Sequence, residues 1–241
     1  MVVLATRVYV DGEARERATD GLRSMVEDRV GALDVEYTVG LRHDGFPSVT
    51  VEGRDAAAAR AALRETFGAV YPDGPRPGEP GVATLKRWSD DGFTLAAGRE
   101  VFVPADRIGL GPGSPSQVRE RFGLVQHLPM RVVAESGDAA EASGDSDDGR
   151  SRAPLVGELA EAERDRLYDW QRGTGRVNVN SATRSEVRAT VNRAGHADDV
   201  VTVERLGLLE QSIVCREGTD PPGLLSSVGE YLPAEMLCVV P

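Results

Sequence analysis

Two stretches of this 241-residue chain run through the same order of apolar periodicities, and that doubling limits the available folds more than any other feature of the sequence. Near the start, "VVLATRVYV" is β-branched and partly alternating, and "EARERATDGLRSMVEDRV" repeats Ala14, Ala18, Leu22, Met25, Val26 and Val30 at helical spacing. "VEYTVGLR" and "SVTVEG" read as strands joined by the turn "HDGFP", and "DAAAARAALRETFGAV" reads as a helix with Asp55 as its N-cap. The last third repeats this order and completes it. In "RVNVNSA", Val177 and Val179 alternate inward against Arg176, Asn178 and Asn180 outward, and "TRSEVRATVNRAG" opens on the capping-box pair Thr183 and Glu186 and closes at Gly195. "DVVTVERLG" and "EQSIVCREG" are two further strands, "TDPPGLLSSVGEYL" is a helix capped by Thr219 or Asp220, and "EMLCVVP" is a final strand. The order βαββαβ is that of a ferredoxin-like unit, complete at the C-terminal end and one strand short at the N-terminal end.

Between the two repeats the pattern changes. "YPDGPRPGEPG" cannot continue a helix, so it marks a boundary. "VATLKRW", "FTLAA", "EVFVPA" and "MRVVAE" are short strands with tight turns and one intervening helix, the layout expected of a small OB-type barrel. "ESGDAAEASGDSDDGRSRAP" is poor in apolar residues and reads as an acidic, disordered insertion in the last barrel hairpin, with "PLVGEL" resuming the strand. The expected architecture is therefore α+β: a ferredoxin-like domain over residues 1–71, an OB-type barrel over 81–158 with the insertion at 135–153, and a helix plus ferredoxin-like domain over 159–241.

The loop "GLGPGSPSQVRERFGL" resembles a phosphate cradle only superficially. It lacks the Lys-Ser/Thr pair of a Walker loop, and it follows no long parallel strand. Ser114 as cap, Pro115 at the first helical position and Gln117 at the capping-box position describe it as a helix entry.

Composition narrows the partner. The net charge is −11, yet Lys86 is the only lysine and every other strong cation is arginine. That balance fits a cytoplasm crowded with salt, where screening relieves carboxylate repulsion, so the acidity speaks to habitat more than to partner. No apolar run is long enough to span a bilayer, and no leader is apparent, so a soluble cytoplasmic protein is expected. Cys215 and Cys238 lie in strand-like runs without metal or redox spacing, and the expected topology separates them by another strand.

No catalytic motif stands out: there is no GxSxG or HExxH, and cofactor and metal are expected to be absent. His196 with Asp198 and Asp199 is the one grouping that would suit a metal-dependent or small-molecule enzyme. Cations and rings are more suggestive. Lys86, Arg87 and Arg99 accompany Trp88, Phe93 and Phe102 on the barrel strands, as in barrels that stack bases and track phosphates, although these rings also suit a barrel core. Arg176, Arg184 and Arg188 cluster in the last unit, opposed in sequence only by Glu186, with pairing to the chain's own carboxylates as the alternative.

"GFTLAAGREVFVPADRIGLGPGSPSQVRERFGLVQHLPMR", "RLYDWQRGTGRVNVNSATRSEVRATVNRAGH" and "VERLGLLEQSIVCREGTDPPGLL" together resemble DUF2110, an archaeal family of unknown function, in a haloarchaeal version. The resemblance spans nearly the whole chain and implies no activity. "DGFTLAAGREVFVPADRI" is also similar to the oligonucleotide-binding repeats of ribosomal and transcription-associated proteins. These features make an RNA-binding or ribonucleoprotein-associated, non-enzymatic factor the first expectation. The expected nucleic-acid contacts are Lys86, Arg87, Trp88, Phe93, Arg99, Arg176, Arg184 and Arg188, and a protein-interaction adaptor is the alternative.

Overall fold

The computed structural model describes residues 1–135 and 153–241. The expected insertion at 135–153 lies, apart from its two end residues, outside the described residues. The fold is α+β, with a closed five-stranded barrel between two antiparallel sheets.

The first unit comprises β1 (Val2–Val3), α1 (Gly12–Val30), β2 (Glu36–Leu41), β3 (Pro47–Glu52) and α2 (Ala56–Phe67). Its strands pair antiparallel in the order β1-β3-β2, and Leu4 adds an antiparallel bridge to Ala69. The helical repeat read from sequence packs as expected: Ala18, Leu22, Val26 and Val30 of α1 meet Val49 and Val51 of β3 and Leu63 of α2 in one core. Two local expectations change. The strand "VVLATRVYV" ends after Val3, because the following backbone turns to other partners: Ala5 N–H donates to Gly68 O and Val8 N–H to Gly45 O. Asp55 does not cap its own helix; its carboxylate instead accepts from Asp34 N–H at 3.0 Å, tying the entry of β2 to that of α2.

The barrel follows, with β4 (Pro80–Ser89), β5 (Gly92–Ala97), β6 (Arg99–Pro104), α3 (Pro115–Arg121), β7 (Pro129–Ala134) and β8 (Leu155–Leu159). Closure runs β4-β5-β6-β8-β7 and back to β4, and only the β6–β8 pair is parallel. α4 (Glu161–Arg172) follows directly, and its Leu167 and Trp170 enter the barrel's core beside Phe93, Phe122 and Leu159.

The last unit contains β9 (Arg176–Val179), α5 (Arg184–Arg193), β10 (Val200–Arg205), β11 (Gln211–Cys215), α6 (Pro221–Gly229) and β12 (Met236–Val239). The sheet order is β10-β11-β9-β12, antiparallel throughout. Cys215 and Cys238 are free, with β9 lying between their strands. The capping boxes at Ser114/Gln117 and Thr183/Glu186 both form, and Asp220 accepts from Gly223 N–H.

The three units are joined by side chains rather than by linkers alone. Leu208 and Leu209, between β10 and β11, belong to the core of the first unit, and Val239 of β12 belongs to the barrel's core. Burial of such a side chain stabilises by roughly 1.5–3 kcal/mol. The polar face of β9, expected to point outward, is covered by the barrel: Asn178 and Asn180 are buried, and they donate to Gly123 O at 2.8 Å and Gln126 O at 3.2 Å. A polar strand face can be buried here because the loop carrying Gly123 and Gln126 presents backbone acceptors to it. Gly123 has φ +62°, and a Cβ there would stand 2.8 Å from Val239 and 3.0 Å from Asn178 Nδ2, so the close approach requires glycine.

Candidate functional site

The barrel strands hold their cations in internal pairs. Arg87 binds both oxygens of Glu100, at 3.1 and 2.9 Å, and Lys86 Nζ lies 2.7 Å from the same carboxylate. The Arg87 hydrogen bonds, reinforced by Lys86, hold the Glu100 carboxyl below the usual range. Arg99 donates through Nε to Ala153 O at 2.7 Å. Phe93 is fully buried, so its ring fills the barrel. Trp88 is half-buried and stacks under Arg119, whose guanidinium carbon is 3.8 Å from the ring centroid. That guanidinium is 8% exposed and paired with Glu235, which also accepts from Gln126 N–H and Asn180 Nδ2. Trp88 and Arg119 thus help fasten the barrel to the last unit.

The loop entering α3 is a helix cap. Ser114 Oγ accepts from Gln117 N–H, and Gln117 Oε1 accepts from Ser114 N–H. His196 Nδ1 lies 2.7 Å from Asp199 Oδ2 within one helical turn. Among the described residues, no group of three His, Cys, Asp or Glu side chains is placed to hold a metal.

A different arrangement emerges where the three units meet. A cavity of about 550 Å³ is lined from the first unit by α1 and the end of α2, from the barrel by β7 and α4, and from the last unit by residues 205–208. Five arginines line it, Arg29, Arg64, Arg131, Arg166 and Arg205, against three carboxylates, Asp28, Glu65 and Glu163. The cavity therefore carries a surplus of two positive charges in a chain of net charge −11. It shares Arg166, Arg205 and Leu206 with a second depression of about 680 Å³, to which Trp170, Arg176 and Arg184 contribute.

Local chemistry fixes part of this lining. Glu163 is fully buried and pairs with Arg166 one turn along α4 and with Arg131 Nη1 at 3.5 Å on β7. Arg166 also donates to Pro129 O, and both it and Arg176 lie within 5 Å of the Trp170 ring centroid, at 4.9 and 4.8 Å. Arg176 bonds Glu204 at 3.0 Å and Ser212 Oγ at 3.2 Å; burial still pulls its pKa below the usual arginine value. Arg184 Nε donates to Val203 O at 2.6 Å. Burial, then the neighbouring Arg184, likewise lowers Arg205, against the charge of Asp28, which raises it. The guanidinium groups of Arg29, Arg64 and Arg205 form no hydrogen bond or ion pair among the described residues. Of the sequence candidates, Arg176 and Arg184 reach this groove, whereas Arg188 is exposed on α5 outside it. Lys86 and Arg99 instead line a third cavity of about 380 Å³ between the first unit and the barrel, with Arg7, Asp44 and Glu100.

Sequence reasoning missed the five arginines of the 550 Å³ cavity. They sit on α1, α2, β7, α4 and β10, and no two share a local spacing that would mark them.

Behind the groove, a buried junction sets the relative placement of the units. Tyr9 OH donates to Glu210 Oε1 at 2.6 Å and accepts from Ser181 N–H at 3.0 Å, and its ring lies 3.7 Å from that of His127. His127 and Ser181 are the two non-glycine residues with positive φ among the described residues, and both meet Tyr9. Burial pushes the Glu210 carboxyl up to about 8 and His127 down to about 4, the latter helped by Arg7; burial and Glu210 raise Tyr9.

No helix among the described residues is long and apolar enough to cross a membrane. No curated protein matches the chain. Family comparison matches residues 1–73 to the DUF2110 N-terminal domain, 75–171 to the DUF2110 central domain and 174–240 to the DUF2110 C-terminal domain. The central match ends at the close of α4, in keeping with the packing of that helix into the barrel's core. The chain belongs to the DUF2110 family, with all three of its domains present in order.

Proposed function

We propose that this protein is a non-enzymatic RNA-binding or ribonucleoprotein-associated factor that holds a polyanionic strand in the groove between its three units. The carrying observation is the excess of arginine in the 550 Å³ cavity, five against three carboxylates, in a strongly acidic chain. A guanidinium that is partly desolvated keeps a phosphate bond when salt has screened looser contacts. Among the described residues Arg29, Arg64 and Arg205 form no hydrogen bond or ion pair, and the charge of Asp28 acts on Arg205 only at longer range, so the cost of engaging a ligand is lowered. The adjoining depression adds Trp170, Arg176 and Arg184 together with Asp165, Asp169 and Glu204, so the positive surplus is concentrated in the 550 Å³ cavity.

The groove takes over the role first expected of the barrel strands, since Lys86 and Arg87 are both already engaged by Glu100, and Phe93 is sealed in the core. Strand order also supports the finer fold reading: each flanking sheet is consistent with a ferredoxin-like unit, and the barrel with an OB-type closure. An archaeal, salt-rich cytoplasm remains the proposed setting. The large exposed apolar side chains, such as Tyr71, Val156, Val201 and Tyr231, lie on separate elements and do not favour an adaptor surface.

Purification at high salt after ultraviolet crosslinking, with and without RNase, tests the proposal. The expected result is RNA covalently attached to the protein, trimmed by RNase and reduced when Arg64 and Arg205 are changed to glutamine. A crosslinked sample free of nucleic acid would overturn it.

A further inference from the structure

Resting on that reading, we infer that the 550 Å³ cavity recognises the end of a strand, taking a terminal phosphomonoester while the adjoining depression receives the nucleotides that follow. Charge is the first reason. A phosphodiester within a chain carries one negative charge, whereas a terminal phosphate carries about 1.5 to 2 near neutral pH. The cavity's surplus of two positive charges matches the terminal group.

Construction is the second reason. Glu163, fully buried, holds Arg131 and Arg166 from below, so these two side chains are set in place before any ligand arrives. Arg29, Arg64 and Arg205 line the same space from the other two units without a hydrogen bond or ion pair among the described residues. Guanidinium groups from all three units therefore line one space, and a terminal phosphate presents three oxygens that can all accept hydrogen bonds from them. An internal diester offers only two such oxygens and would leave the set under-used.

Shape is the third reason. The cavity is the more enclosed of the two spaces, and the depression that shares Arg166, Arg205 and Leu206 with it offers a path for a following chain. In that depression Trp170 is flanked by Arg166 and Arg176 and offers a ring to a following base, while Asp165, Asp169 and Glu204 offset Arg176 and Arg184 and leave the positive surplus at the end-binding cavity.

The test compares four probes at one fixed salt concentration: a single-stranded RNA decamer with a 5′-phosphate, the same decamer with a 3′-phosphate, the decamer with hydroxyls at both ends, and a nucleoside 5′-monophosphate. The expected result is that one of the phosphorylated decamers binds at least about tenfold more tightly than the hydroxyl form. The mononucleotide should bind more weakly than either phosphorylated decamer. Arg64→Gln with Arg205→Gln should erase the preference for the phosphate end. Neither guanidinium forms a hydrogen bond or ion pair among the described residues, so the fold should survive, which an unchanged circular dichroism melt would verify. Arg193→Gln, exposed at the end of α5 and outside both spaces, should leave the preference intact. Equal binding of all three decamers would overturn end recognition while leaving RNA binding standing. A mononucleotide as tight as the decamers would overturn it in favour of a small phosphate ligand. Failure of every decamer would defeat the RNA reading itself.

Discussion

Glu210→Gln provides a sharp perturbation of the junction that places the groove. The wild-type carboxyl is fully buried, accepts from Tyr9 OH at 2.6 Å, and is pushed by burial from its usual 4.5 up to about 8. The folded protein therefore keeps this proton to about pH 8, whereas the unfolded chain releases it near 4.5. The sign follows directly: the proton's contribution to stability is complete below pH 4.5 and is lost as pH rises through about 8. At about 1.4 kcal/mol per pH unit, the interval integrates to an upper bound of about 5 kcal/mol. Glutamine keeps an oxygen for Tyr9 and removes the ionisation, so the variant gains on the wild type progressively from pH 5 to pH 8. The absolute offset depends on how the new amide is accommodated, but the slope of the difference does not. Denaturant unfolding of both proteins at pH 5, 6, 7 and 8, in identical salt, measures it. Because the charge of the rest of the chain changes alike in both, the difference isolates position 210. A difference that stays constant across the series would refute the assignment of a buried, proton-holding carboxyl at the junction.

Other expectations follow from the same packing. Glu235→Ala leaves Arg119 buried without its carboxylate and strips an acceptor from Gln126 N–H and Asn180, so thermal unfolding should report a loss of roughly 3–5 kcal/mol. Burial pushes the Cys215 thiol up to about 11, so alkylation of the native protein at pH 8 should be slow there and become rapid on unfolding; the protein should migrate alike on reducing and non-reducing gels. If the acidic surface is an adaptation to brine, the melting temperature should climb steadily from low to molar KCl, and full stability without salt would contradict that reading.

Much of the local structure was legible because its causes are local. Ser114 with Gln117 and Thr183 with Glu186 are each three residues apart, and both capping boxes form. The apolar repeat of α1 packs on the expected face, and the separation of Cys215 from Cys238 by β9 follows the strand order inferred from the pattern. What stayed hidden depends on contacts between units. Asn178 and Asn180 look outward in an alternating strand, and nothing nearby announces that the Gly123–Gln126 loop will cover them. "VVLATRVYV" keeps its strand-like composition where the chain has left the sheet, because Tyr9 is committed to Glu210 two hundred and one positions away. The groove is the extreme case: each of its five arginines looks like an ordinary surface cation until three separate units bring them to one cavity. Conversely, the barrel candidates were conspicuous in sequence, and Glu100, fourteen positions after Lys86, satisfies two of them.

The central claim is that a polyanion lies between the three units, and crosslink mapping tests it most directly. Protein crosslinked to bound RNA at high salt would be digested and the attached peptides located by mass spectrometry. The account predicts attachment within the segments 64–68, 129–131, 162–170 and 204–208, which contribute to the lining of the two connected spaces. Attachment confined to the outer barrel strands around Lys86 to Glu100, or to the exposed face of α5, would contradict it.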